Sequence, residues 1–152
     1  LRGVVPAIGM NTARQQVMNS MRGYDIELLS IIHSEAYVST SAEVGMGSVI
    51  LPGAIVNACS SLGDGVIVNS GAIIEHDCIV EEACHISPNA SVAGGCKLGV
   101  RTWVGISATI IQNIEVGADA VIGAGAVVIC DIPADTTYVG VPAMAIRNRG
   151  GK

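Results

Sequence analysis

Every sixth residue from Val38 to Val128 is Val, Ile or Leu: Val38, Val44, Ile50, Val56, Leu62, Val68, Ile74, Val80, Ile86, Val92, Leu98, Val104, Ile110, Val116, Ile122 and Val128. There is no slip and no insertion. A step of six fits neither the turn of a helix, at about 3.6 residues, nor a sustained alternation. Four residues after each of these positions, from Ala42 to Ala126, stands Ala, Ser, Cys or Thr, with Val66 and Ile114 as exceptions. The position directly after the aliphatic often carries Gly, Asn or a carboxylate, as at Gly45, Gly63, Gly99, Gly117 and Gly123. One aliphatic points inward at each step, one small residue fits beside it, and a turn follows. The pattern predicts short parallel strands wound into a three-sided prism, each strand too small to bury its face without stacked neighbours.

Composition agrees. Half of the 152 residues are apolar, yet aromatics are 3% and Phe is absent, so Val, Ile, Leu and Ala must fill the core. The net charge of −5 argues against nucleic-acid binding. No apolar run reaches the roughly eighteen residues of a membrane span, and no segment reads as a signal peptide. Five cysteines without metal-type pairs fit a reducing cytoplasm better than a disulfide scaffold. Cys78, Cys84 and Cys96 occupy the small-residue positions, where a thiol serves as a small hydrophobe. Cys78 and Cys96 are one coil apart, within disulfide reach, but a cytosolic setting argues against the bond. The chain starts with Leu rather than Met and reads as a piece of a longer protein.

The repeat resembles the hexapeptide repeat of left-handed parallel β-helix proteins, which make eighteen residues per coil. A mainly β fold is therefore expected, with the β-helix over residues 35–130. The repeat itself makes about five coils, or roughly 24 Å at ~4.8 Å between strands. Ahead of it, "GVVPAIG" reads as a strand, "NTARQQVMNSMRG" as a helix with Asn11 or Thr12 as N-cap and Gly23 just past its end, and "DIELLSII" as a second strand. Strand, helix and strand make a βαβ unit. Residues 1–34 then read as the C-terminal remnant of a larger α/β domain, and residues 131–152 as a cap and tail.

At eighteen residues per coil, positions eighteen apart stack and positions nine apart face opposite ways. His76 and His85 are nine apart, so they cannot cooperate within one subunit. Flat-sided prisms can close into a threefold ring, and a homotrimer with its sites between subunits is expected. Gly94 and Gly95 lie one coil above His76; that pair leaves room for a thioester and a backbone N–H for a developing oxyanion. Trp103 lies one coil above His85 as a flat apolar wall, and Asn69 nearly one coil below it, under Ser87. Glu75 reads as facing solvent or a subunit contact, Glu81 and Glu82 as a solvated turn, and His33 has no assigned role.

The stretch "NSGAIIEHDCIVEEACHISPNASVAGG" resembles bacterial sugar acetyltransferases of the sialic acid O-acetyltransferase type and the related UDP-4-amino-sugar N-acetyltransferases. The ending "VGVPAMAIR" is similar to that of many hexapeptide acyltransferases. The resemblance implies that His76 is the general base for attack on acetyl-CoA, the co-substrate, and that Asp77, where some relatives carry Glu, orients or polarises the ring. It implies that His85 holds the acetyl carbonyl or a water, and that Gly94 offers its N–H to the thioester oxygen. The upper coils around Gly105 and Gly123, with Arg147, Arg149 and Lys152, would receive pantetheine and phosphates. Asn69 is assigned to substrate binding, and no metal is expected. The glycine-rich loop with which these families usually bind a nucleotide sugar is not in this sequence.

The chemistry is compatible, since direct attack on a thioester needs proximity and a base titrating near neutrality. The expected activity is acetyl transfer to the amino group of a nucleotide-linked amino sugar, with O-acetylation of a sialic acid as the alternative. A zinc hydratase on the same prism would need three converging imidazoles, and a non-catalytic trimeric spacer would need none. Neither nucleic acid nor membrane is an expected partner.

Overall fold

A computed structural model describes residues 3–24 and 26–146 of the chain. From Ile31–Ile32 to Val127–Val128, a two-residue strand recurs every six residues. Each strand pairs in parallel with the one eighteen residues away, as Ile73 does with Ile55 and Ser91. The strands form three faces. The first runs from Tyr37–Val38 through Ile73–Ile74 to Val127–Val128, and the second from Glu43–Val44 through Ile79–Val80 to Glu115–Val116. The third runs from Ile31–Ile32 through His85–Ile86 to Val121–Ile122. This is a parallel β-helix of about six turns. It reaches one strand further back than the expected start, because Ile31–Ile32 pairs with Val49–Ile50.

The aliphatic at each step is the core: Ile50, Val68, Ile86, Val104 and Ile122 stack up the axis, all fully buried. The small position does more than save space. Ser60 Oγ donates to the Glu75 carbonyl at 2.7 Å, Cys84 Sγ to Gly99 at 3.1 Å and Cys96 Sγ to Ile111 at 3.1 Å. A buried hydroxyl or thiol thus donates to a carbonyl of the next coil, fifteen residues on, and keeps its own polar atom satisfied. All five thiols are free.

The glycines that follow the aliphatics serve stacking rather than a turn. A Cβ on Gly45 would lie 2.4 Å from Gly63 C, and one on Gly99 2.6 Å from Ala118 N. The left-handed turn residue falls two positions later. Every sixth residue from Gly47 to Gly125 has φ between +54° and +71°, and eight of these are not glycine, Asp77 and Arg101 among them. Such backbone costs about 1 kcal/mol or more per residue. The coil beneath enforces it: Asp77 N–H donates to Ala58 O and Arg101 N–H to Glu82 O.

Strand β1 (Gly3–Val4), helix α1 (Asn11–Met21) and parallel strand β2 (Glu27–Leu28) form the expected strand–helix–strand layer. "DIELLSII" is therefore two strands, since its Ile31–Ile32 end belongs to the prism. The N-cap is Met10, without a side-chain cap, rather than Asn11 or Thr12. Asn11 is used elsewhere: its Nδ2 donates to the Arg101 and Thr102 carbonyls, which docks the helix on the corner between the second and third faces. Glu82 is not a merely solvated residue, because it accepts from Arg22 and Gln15 of α1. Glu81 accepts the Val100 N–H, and Glu75 the Asn57 amide.

After Val128 the six-residue step is lost. Thr137–Val139 continues the third face beside Val121–Ile122, and Met144–Ile146 returns antiparallel to it. Among the described residues, no helix is long and apolar enough to cross a membrane.

Candidate active site

His76 stands at the corner between the first and second faces, two residues past the strand Ile73–Ile74. Its Nδ1 is 2.7 Å from Asp77 Oδ2, and the two side chains are 63% and 64% exposed. The left-handed backbone of Asp77 (φ +58°) turns the carboxylate beside the preceding ring. The hydrogen bond to Asp77, helped by the negative charges of Asp77 and Glu75, raises the His76 pKa above its ordinary value. With Nδ1–H donated to a carboxylate, the lone pair is on Nε2, which has no partner among the described residues. That nitrogen is free to take a proton.

The space above His76 was expected to be empty; instead the ring itself uses it. A Cβ on Gly94 would meet His76 Cε1 and Nε2, each at 2.7 Å. Of the glycine pair, Gly95 donates its N–H to the His76 carbonyl, and the Gly94 N–H has no partner among the described residues. An imidazole nitrogen and an unpaired amide thus share one corner.

His85 lies on the third face, across the prism from that corner. Its ring stacks parallel to Trp103, with centroids 6.0 Å apart, and the Trp103 Nε1–H donates to Ser87 Oγ at 2.9 Å. His85 Nε2 is 3.1 Å from Asn69 Nδ2. Asn69 Oδ1 accepts the Ser70 N–H at 2.8 Å, so Nδ2 must face the histidine. His85 therefore accepts at Nε2 and, when neutral, carries its proton on Nδ1. That atom is buried without a hydrogen-bond partner, although the Gly9 carbonyl lies near enough to favour the protonated ring slightly. Burial, and secondly the charge of Arg14, lower the His85 pKa. Sequence spacing had placed Asn69 and His85 on one side; that they bond to each other is set by the corner at Ser70.

Above this pair a groove of about 350 Å³ runs up the third face between His85, Ser87, Pro88, Trp103, Gly105, Ile106, Val121, Gly123 and Ala124. It gathers His85, Trp103, Gly105 and Gly123, four of the residues expected to hold the acyl donor. Gly105 is also needed by the coil, since a Cβ there would lie 2.6 Å from Ile122 O, whereas one on Gly123 would meet the Val139 side chain at 2.7 Å. Arg147, Arg149 and Lys152 lie outside the described residues. Among the described residues, no three of His, Cys, Asp and Glu come together as a metal would require.

One side of the prism can withdraw a proton, and the opposite side can hold a long, largely apolar ligand. That division suits an acyltransferase working directly from a thioester. The chain matches no protein-family model and none of the curated proteins. Solved structures are more informative. PerB of Caulobacter crescentus, in complex with CoA and GDP-perosamine, is 39% identical with a TM-score of 0.92, over 93% of this chain and 68% of its own. A perosamine N-acetyltransferase of the same organism with one histidine replaced by asparagine, also in complex with CoA and GDP-perosamine, is 37% identical with a TM-score of 0.96. The match covers 97% of this chain and 70% of that one. The acetyltransferase domain of PglB from Neisseria gonorrhoeae is 40% identical with a TM-score of 0.90, over 92% and 68% of the two chains. The chain belongs to the hexapeptide-repeat sugar acetyltransferases.

Proposed function

We propose that this protein transfers acetyl from acetyl-CoA to the amino group of a nucleotide-linked amino sugar, with His76 as general base. The observation that carries this is the His76–Asp77 pair set beneath Gly94: an Nε2 and an N–H, neither partnered among the described residues, at one exposed corner. The sugar amine attacks the thioester carbonyl carbon, Nε2 takes the amine proton, and the Gly94 N–H stabilises the oxyanion. The C–S bond then breaks, the proton held on Nε2 passes to the departing sulfur, and coenzyme A leaves as the thiol with the base restored. Asp77 keeps the ring's proton on Nδ1. The neutral His85 fixes the Asn69 amide, whose second N–H faces the ligand. The groove past Trp103, Gly105 and Gly123 receives pantetheine. The CoA and GDP-perosamine complexes of 37–39% identical relatives support this assignment.

Because His76 and His85 occupy opposite sides of one prism, a complete site takes the His76 corner of one subunit and the His85 face of the next. The working unit is a homotrimer, in the cytoplasm where acetyl-CoA and nucleotide sugars are made.

Thiol release from acetyl-CoA, measured with GDP- and UDP-linked 4-amino sugars and with free sialic acids, tests the reaction. Release with an amino sugar, lost in His76→Ala, is expected. Release with a sialic acid alone would move the acceptor to a hydroxyl, and neither release nor coenzyme A binding would overturn the assignment. Mixing inactive His76→Ala and His85→Ala subunits should restore activity; no recovery would refute the shared site.

A further inference from the structure

Arg14 is fully buried, and among the described residues no carboxylate pairs with it. Its guanidinium instead gathers neutral oxygens from three places. Nε donates to Gly65 O at 2.7 Å, and Nη1 to Ile8 O at 2.8 Å and Gly9 O at 3.2 Å. Nη2 donates to Asn11 Oδ1 at 2.9 Å, Ala83 O at 2.6 Å and Cys84 O at 3.1 Å. A buried cation without a counterion is costly, and a docked helix could be held by apolar residues of similar volume. What distinguishes these acceptors is where they lie. Ala83 and Cys84 lead directly into His85, and the Gly9 backbone lies close enough to the same ring to favour its protonated form.

We propose that Arg14 is a positioning residue for the acyl-donor site: its guanidinium locks the backbone that leads into His85 to the Ile8–Gly9 loop beside it. The assignment of a ligand to His85 and Asn69 rests on the proposed function; the link from Arg14 to His85 does not. Burial lowers the Arg14 pKa only to about 10, so the group stays cationic at neutral pH. Its charge then opposes a second positive charge on His85. Of the other groups around the ring, Asn69, Ser87 and Trp103 do not titrate, and burial pushes the Cys84 thiol up to about 12. A neutral His85 accepts from Asn69. A protonated one would present N–H to the Asn69 NH₂, and the amide could turn only by giving up the Ser70 N–H.

The test is an NMR titration of the His85 ring in the wild type, Arg14→Lys and Arg14→Met, with acetyl-CoA KM and kcat measured alongside. In the wild type the His85 midpoint should lie below the usual histidine value, with the neutral ring protonated at Nδ1. Arg14→Met should raise the midpoint, since the Arg14 charge opposes the protonated ring, and raise the acetyl-CoA KM about tenfold, with kcat much less affected. Arg14→Lys should keep the low midpoint while losing part of the affinity. A wild-type midpoint at or above the usual value overturns the proposal even if Arg14→Met does not fold. An unchanged midpoint in a folded Arg14→Met does so as well. Should no acetyl transfer be found at all, the titration still decides the Arg14–His85 link.

Discussion

Asp77 Oδ2 sits 2.7 Å from His76 Nδ1 although the two residues are adjacent in the chain. Neighbouring side chains on an extended strand would point to opposite faces. Here the left-handed corner at Asp77, held by its N–H on Ala58 O, brings the carboxylate back onto the ring. The pair is thus a product of the coil below it.

This contact sets the pH dependence. Asp77 favours the protonated imidazole, so the His76 midpoint lies above the ordinary 6.5, and a general base works only when neutral. Rate should therefore rise with pH through that raised midpoint. In Asp77→Asn the midpoint should fall, so the acidic limb moves to lower pH, while the plateau rate drops because the base is weaker. Profiles of kcat against pH for both proteins would show it. An acidic limb that does not move would remove Asp77 from the mechanism.

Gly94→Ala separates catalysis from folding. The added Cβ would lie 2.7 Å from two ring atoms of His76, and Gly94 has no left-handed φ to forbid a side chain. The exposed ring can swing aside at little cost to stability. Displacing it by about 1 Å should lower kcat roughly 100-fold, with the melting temperature nearly unchanged. A large loss of Tm would show that the glycine serves the coil instead.

Trp103→Ala removes the plane on which His85 stacks, the bond to Ser87 and one wall of the groove. The acetyl-CoA KM should rise about tenfold, as for loss of an aromatic anchor worth about 1.4 kcal/mol. Little change in kcat is expected. Unaltered coenzyme A binding by calorimetry would place the ligand elsewhere.

Gly99→Ala tests the stacking role of glycine. Its Cβ would meet Ala118 N at 2.6 Å and Gly117 C at 2.9 Å, backbone atoms that cannot yield without opening the coil. A loss of about 1–3 kcal/mol is expected from overpacking, read as a lower Tm with the kcat of the folded protein retained.

The sequence by itself determined the prism. Sixteen aliphatics in step name the core, the six-residue interval sets three faces and an eighteen-residue register, and the same arithmetic puts Gly94 above His76 and Trp103 above His85. A solenoid is legible in this way because each coil contacts only its neighbours, so spatial adjacency is a fixed sequence interval. What only the tertiary structure decided lies off that interval. The ring of His76 fills the place beneath Gly94, Asp77 turns onto it through a left-handed corner, and Asn69 is held by Ser70 so that it faces His85. Helix α1 shows the limit most clearly. Asn11 looked like an N-cap and nothing in the sequence singled out Arg14, yet both reach carbonyls 51 to 91 residues away. No period connects α1 to the repeat, and a buried cation is specified by where surrounding carbonyls converge, which only the folded chain brings about.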